Sequence, residues 1–493
     1  MTALAELAGR TPDDVAVECG ETRVSWRDLD ERTNAMANGL ESYGAKPGAH
    51  VAICVSNRVE FVEAVLGAWR AGCAYTPVKT GWTSSEVGAV LDDARTAVVI
   101  ADRDGARDAA SQRGVAVVDL DANHDTWLAA QDRSEPTGRR CGYKMPFTSG
   151  TTGRPKGVVM SGSGTVAFDD GWRGLARWAE ALRLPGDGVH LFLSRLFNGA
   201  PQTFGFGALA RGATLRVLPR WSATDALAAL AEPDVTSTIM VPTMFRQLLS
   251  LPDVDRSHSP SPSLRTLLHG GEPCPPALKE AVAAWFGDVL VEYYGFTEGG
   301  LTIVAPGEWQ QRPGTVGRPL PGMNVEIHAD DGTLLPTGDT GTVFFRSDVG
   351  RRFSYSADDA KTAGAHQGDA FTVGDIGYLD GDGYLYLCGR SADVVITAGV
   401  NVYPAEIEAA LADADGVVDM CAIGIPDDER GEVIALYVVL ATDADETTVR
   451  ADLSRLGEQR LAPYKRPRQI HVIDSVPRDE TGKLLRRVLR DSL

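Results

Sequence analysis

An α/β fold with a smaller α+β unit behind it is predicted for this 493-residue chain by two observations. The first is that short apolar runs alternate with amphipathic helical segments; the second is a change of texture after Arg390. The runs His50–Ser56, Thr96–Ala101 and Val115–Asp119 read as strands. Between the first two, Val59, Val62, Val65, Leu66 and Trp69 fall at helical spacing, and Gly72 supplies a stop. After Arg390 the elements become short and mixed: a helix over Pro404–Leu411, strands near Met420–Ile425 and Val433–Leu440, a helix over Thr447–Arg460 and a strand at Gln469–Ile473. No repeat, low-complexity tract or long Gly/Ser linker separates the two parts. The boundary is therefore expected at a short hinge near residues 390–393, dividing 1–390 from 391–493.

Composition narrows the partners. Apolar residues make up 43% of the chain and charged residues 23%, ordinary values for a globular protein. A formal net charge of −19 argues against nucleic acid or an anionic membrane surface as a general partner, so clustered basic residues would be local anion sites. The seven cysteines are scattered without a C-x-x-C pair, which suggests neither a zinc site nor a disulfide framework. The N-terminal stretch lacks the basic and apolar regions of a signal peptide, and no apolar run approaches membrane-spanning length. These features predict a cytoplasmic protein.

The chemistry concentrates in a few motifs. Thr148-Ser-Gly-Thr-Thr-Gly-Arg-Pro-Lys-Gly157 crowds hydroxyls, glycines and two cations into one loop. Gly150, Gly153 and Gly157 let backbone N–H groups converge on phosphate oxygens, Ser149, Thr151 and Thr152 add donors, and Arg154 and Lys156 neutralise charge. It is not a Walker A loop, because Lys156 follows Pro155 and precedes Gly157. It reads as a polyphosphate cradle for ATP; a solvated polar turn is the plain alternative. In Tyr293-Tyr-Gly-Phe-Thr-Glu-Gly299, after the strand-like Val289–Glu292, Tyr294 can stack on a base and Glu298 can hold a hard divalent cation, or simply be solvated. Asp375 follows a glycine turn, where an ionised carboxylate suits a ribose diol or merely caps the turn. Lys483, in Pro477-Arg-Asp-Glu-Thr-Gly-Lys483, sits where an ammonium can meet developing negative charge, although most terminal lysines do nothing chemical.

Taken in order, TSGTTGRPKG, YYGFTEG, VGDIGYLDGDGYLYLCGR, ADVVITAGVNVYPAEIE and PRDETGK resemble the adenylate-forming superfamily of acyl-CoA synthetases, luciferases and peptide-synthetase adenylation domains, over nearly the whole chain. The resemblance implies a large N-terminal region of α/β subdomains plus a β-barrel-like piece, capped by a mobile C-terminal domain. It implies ATP with Mg²⁺, a carboxylic acid and coenzyme A as the partners. It places phosphate binding on Thr148, Ser149, Gly150, Thr151, Thr152, Gly153 and Lys156, and adenine on Tyr294 and Gly295 with Gly271 and Glu272 alongside. The metal falls to Thr297, Glu298 and Thr151, the ribose to Asp375 and Arg390, and catalysis to Lys483 with Glu298 and Thr148. The implied acyl pocket comprises Asn198, Gly199, Thr203, Gly205, Gly270 and Phe296. A thiol channel and hinge fall on Ala392, Gly399, Val400 and Asn401. Two steps are implied: the acid attacks the α-phosphate of ATP, giving acyl-adenylate and pyrophosphate, and a thiol then displaces AMP.

Three departures from the family pattern stand out. Val373 replaces a hydroxyl residue before Gly-Asp, Ala392 replaces the usual charged hinge residue, and Asn198 stands where many acyl-CoA synthetases carry a gating histidine. No aspartate between Phe197 and Ala208 is available to hold an α-amine, which disfavours amino acids. Small residues there, Gly205 among them, suggest a roomy pocket for a bulky polycyclic terpenoid or steroid acid; fatty and aryl acids, a carrier-protein thiol acceptor and a noncatalytic nucleotide-binding relative are the alternatives. Lys465, Arg466 and Arg468 are candidates for the phosphates of coenzyme A or are an exposed basic turn.

Overall fold

Four sheets organise the protein, in a computed structural model that describes residues 3–122, 124–148, 156–252, 260–356, 358–478 and 484–491. The first runs in the order Ala116–Asp119, Val98–Ala101, His50–Cys54, Ala74–Pro77 and Tyr143–Lys144, with every pair parallel. Its central strands are buried on both faces, which is why the sequence shows them as unbroken apolar runs rather than alternation. The intervening helix, Val59–Arg70, buries Val59, Phe61, Val62, Val65 and Leu66. It stops where Gly72 turns to φ +73°.

The second sheet begins as a parallel run: Val15–Cys19, Thr214–Val217, Val189–Phe192, Val235–Met240, Thr266–Gly270 and Leu290–Gly295. Strand Val189–Phe192 lies between the two strands that follow it in the chain, so the connections leave to opposite sides and a crevice opens at the carboxyl ends. Asn57, just beyond the end of His50–Cys54, ties the two sheets together there. Its amide donates to the carbonyls of Ser194 at 2.7 Å and Leu218 at 2.8 Å, and accepts from the Leu196 N–H at 2.8 Å.

Beyond Gly295 the same sheet turns antiparallel, through Leu301–Val304, Thr315–Pro319, Leu385–Arg390, Asp375–Leu379 and Gly341–Ser347. This antiparallel region occupies the place where the resemblance implies a β-barrel-like piece. A small three-stranded sheet joins Phe147–Thr148, Lys156–Met160 and Phe353–Tyr355.

Among the described residues, no strand after Arg390 pairs with a strand before it. The last sheet orders Val400–Val402, Val395–Thr397, Gly431–Leu440 and Val417–Asp427, with Gln469–Val472 parallel to Gly431–Leu440. Helices Pro404–Leu411 and Glu446–Arg460 cover one face through Ile407, Leu411, Val449, Leu453 and Leu456. The architecture is thus α/β with a smaller mixed unit behind it. No helix among the described residues is long and apolar enough to cross a membrane.

Candidate active site

Strand pairing and side-chain contacts bring three of the expected nucleotide residues together. Asp375 and Arg390 are direct partners in the antiparallel pair, and Tyr294 ends the neighbouring parallel run. The Arg390 Nε donates to Asp375 Oδ1 at 2.9 Å, and the Tyr294 hydroxyl donates to Asp375 Oδ2. Asp375 is only 4% exposed. Burial and this carboxylate together push the Tyr294 phenol well above its ordinary range, so it stays a donor. Thr372 accepts from the Gly374 N–H at 3.0 Å and the Ser391 N–H reaches the Gly374 carbonyl at 2.8 Å, so the turn before Asp375 is held without a hydroxyl at Val373.

Gly270, Gly271 and Glu272 follow the strand Thr266–Gly270 into the same crevice. Gly271 needs its glycine, with φ +81°, and Gly270 carries the Tyr293 carbonyl where a Cβ would stand. Glu272 is buried and accepts from Thr243 Oγ1 at 2.8 Å. Its other oxygen has no hydrogen-bond partner among the described residues, and burial raises its carboxyl above the usual range. Arg246 and Arg478 both approach to 3.9 Å. Arg478 belongs to the C-terminal unit, so this contact brings that unit against the crevice.

Glu298 is 6% exposed and accepts from the Tyr355 hydroxyl at 2.8 Å, while Thr297 is exposed. The second Glu298 oxygen carries no hydrogen bond from the described residues, which leaves it for a ligand. A magnesium ion on a triphosphate needs only one or two protein carboxylates, and Glu298 fits that requirement. No larger cluster of metal-binding side chains occurs among the described residues. Thr148 and Lys156 are paired across the hairpin that opens the phosphate motif, and Lys156 is neutralised by Asp358. Ser149, Gly150, Thr151, Thr152, Gly153 and Lys483, and the side chain of Thr148, lie outside the described residues.

Four of the expected acyl-pocket residues, Asn198, Gly199, Thr203 and Gly205, share one helix and its N-cap. Asn198 caps the helix Gly199–Arg211 without using its side chain, and a Cβ on Gly199 would meet open space. Phe296 instead packs among aromatics, 5.3 Å from Phe345 and 6.1 Å from Phe371 between ring centroids. The room expected at Gly205 is not there: a Cβ would stand 2.8 Å from the Phe192 ring and 3.3 Å from Leu215. Gly205 lets the helix approach the sheet, and Gly207 does the same against Ala179. Gly205→Ala is therefore expected to lower stability by about 1–3 kcal/mol through overpacking, read by denaturant unfolding; an unchanged midpoint would restore the pocket reading. Lys144, unremarked in the sequence, reaches both Gly199 and Thr203.

The segment expected to be the hinge, Ser391–Asp393, is a short 3-10 turn with Ala392 exposed. The charge missing at Ala392 appears one residue later, where Asp393 pairs with Arg490 at 3.2 Å and Arg486 at 3.6 Å. Ala398 and Gly399, at φ +50° and +79°, make the two-residue turn between Val395–Thr397 and Val400–Val402. Asn401 is exposed on the second strand, and Ile396 and Val400 leave 53% and 42% of their surface uncovered.

A buried carboxylate held by an arginine and a tyrosine beyond the parallel run, with a second mixed unit reaching Glu272 through Arg478, fits a two-part nucleotide-using enzyme. Residues 4–350 match the AMP-binding enzyme family and residues 406–483 its AMP-binding enzyme C-terminal domain, so the chain belongs to that family, the adenylate-forming superfamily. It is an AMP-forming ligase of the adenylate-forming type, which uses ATP to activate a small-molecule acid. A methyl-dioxo-octahydroindenyl propanoyl:CoA ligase of Rhodococcus jostii (strain RHA1) is 31% identical over 99% of this chain and 98% of its own. The long-chain-fatty-acid–CoA ligase FadD13 of Mycobacterium tuberculosis is also 31% identical, over 96% and 93%. The ATP-bound crystal structure of MatB from Rhodopseudomonas palustris superposes with a TM-score of 0.86 at 27% identity, covering 99% of this chain and 98% of that one.

Proposed function

We propose that the protein adenylates a fatty or aryl carboxylic acid and passes the acyl group to the thiol of coenzyme A. The carrying observation is the convergence of Tyr294, Asp375 and Arg390, with Glu298 alongside in the same motif, around the crevice. A polycyclic acid is the second reading, favoured by the Rhodococcus relative's named substrate. The FadD13 name, at equal identity, and the closely packed Gly205 both weigh toward the first.

In this reading the protein positions and neutralises, and no side chain forms a covalent intermediate. Asp375 and Arg390 hold the ribose, Tyr294 and the Gly270–Glu272 strand end flank the adenine, and Thr148–Gly153 with Lys156 cradle the phosphates. Lys156 must exchange Asp358 for a phosphate oxygen, or act through it. Glu298 would hold Mg²⁺, which when bound would supply charge neutralisation at the phosphates. Lys483 stabilises charge as the acid oxygen attacks phosphorus and pyrophosphate leaves. Rotation of residues 391–493 about Ala392 then withdraws Lys483 and brings Gly399, Val400 and Asn401 to the thiol. The exposed Ile396 and Val400 beside that turn are the apolar surface such a second pose would cover.

Acid-dependent pyrophosphate release across straight-chain, aryl, polycyclic and amino acids tests the reading, followed by thioester formation with coenzyme A and with a phosphopantetheinylated carrier protein. Fatty or aryl acids are expected to lead and amino acids to fail. Leadership by polycyclic acids would establish the second reading, and no release with any acid would remove both.

A further inference from the structure

Lys144 ends the edge strand of the first sheet, directly opposite Tyr75 in the parallel register. Laterally paired residues project on the same face, so both side chains leave the sheet together. Both reach the first turn of the helix Gly199–Arg211. The Lys144 ammonium donates to the Gly199 carbonyl at 2.8 Å and meets Thr203 Oγ1 at 2.5 Å, while the Tyr75 hydroxyl donates to Gln202 Oε1 at 3.0 Å. Tyr75 and Gln202 are each 1% exposed.

The cluster has too few acceptors. Thr203 already spends its proton on the Gly199 carbonyl at 2.9 Å, so among the described residues the half-buried ammonium has two partners for three protons. The buried Gln202 amide nitrogen has no partner among the described residues. Among the described residues, no carboxylate lies within ion-pair distance of Lys144. The helix dipole adds to the mismatch, because a cation here faces the positive end of a helix rather than the negative one. Lys144 is half-buried, and desolvation with no counter-ion among the described residues pushes its amine down to about 8. A buried water would satisfy the amide but would leave the charge uncompensated; an anion satisfies both.

The proposed function supplies a source for that anion, and the inference rests on it. The helix starts at the crevice end of strand Val189–Phe192, whereas the reacting carboxylate must meet the α-phosphate of a nucleotide held by Tyr294, Asp375 and Arg390. We propose that Lys144, with Gln202 and Thr203, binds a second carboxylate on the acid substrate, so that the preferred acids are dicarboxylic. A phosphate oxygen of ATP is the other source of the same chemistry, and the test separates them.

The test compares octanedioate with octanoate, and terephthalate with benzoate, by acid-dependent pyrophosphate release. The wild-type protein is expected to favour the diacid of a pair by roughly tenfold in kcat/KM, the scale of a hydrogen bond to a charged group, and Lys144→Met to erase that ratio. Gln202→Met should reduce the same ratio, which keeps the proposal falsifiable if the lysine variant fails to fold. An unchanged ratio in folded variants, or a wild-type preference for monoacids, overturns it. So does a loss in Lys144→Met that falls on ATP affinity and affects both acids alike. If no acid releases pyrophosphate, the ligase reading itself fails. The cluster is then judged by thermal shift with octanedioate alone, where stabilisation lost in Lys144→Met supports the anion site and none overturns it.

Discussion

Lys483→Ala is expected to abolish acyl-adenylate formation while ATP still binds. In the proposed reading the nucleotide contacts come from elsewhere: Asp375 and Arg390 share a strand pair, and Tyr294 closes on the same carboxylate. Lys483 is there proposed to meet charge that appears only as phosphorus is attacked, and such groups change rate rather than ground-state affinity. Arg478 and Leu484 form an antiparallel bridge, and the Arg478 guanidinium, held by Asp419 at 2.9 Å, approaches Glu272 to 3.9 Å at the crevice. Removing one preorganised donor of this kind costs on the order of 10²–10³ in rate. Acid-dependent pyrophosphate release measured beside ATP affinity checks the expectation. Normal first-step turnover in the variant would take Lys483 out of the mechanism, and a parallel loss of ATP affinity would make it a binding residue.

The strands and helices were legible because their patterns are local. The apolar run at Thr96–Ala101 becomes Val98–Ala101, and the helix Pro404–Leu411 appears with the bounds expected of it. Two C-terminal strands are longer than their apolar cores: Val417–Asp427 and Gly431–Leu440 pair into polar ends, as a hairpin does when register rather than hydrophobicity sets its length. Contacts were legible where sequence motifs carry the side chains that meet, as with Tyr294 and Asp375. They were not where the partner lies outside those motifs. Asn57 clamps Ser194 and Leu218, and Lys144 finds Gly199 and Thr203, only because two sheets meet. Gly205 was misread for a different reason: a small residue on a helix opens a cavity or lets the helix approach its neighbour, and only the position of Phe192 decides. Asp393 was overlooked because its arginines come from the far C-terminal helix Arg486–Asp491.

Asp375→Ala is expected to weaken ATP and AMP binding by about 1.5–3 kcal/mol for each charge-assisted hydrogen bond lost, roughly ten- to a hundredfold for one bond. Both of its oxygens are already in use, one by Arg390 and one by Tyr294. That does not close the site, because an ionised carboxylate offers about four lone-pair positions and these contacts occupy two. The remaining two suit the hydroxyls of a ribose. The same geometry creates a competing explanation: losing the carboxylate also frees Arg390 and the Tyr294 hydroxyl, which alone would disturb the crevice. 2′-Deoxy-ATP separates the two effects. If Asp375 contacts the diol, the deoxy nucleotide binds the wild type less well than ATP and loses less on mutation, because one of its bonds is already missing. If Asp375 only braces Arg390 and Tyr294, both nucleotides lose by the same factor. Calorimetric titration of each nucleotide into wild type and variant measures this difference, and equal losses would leave the ribose to other groups in the crevice.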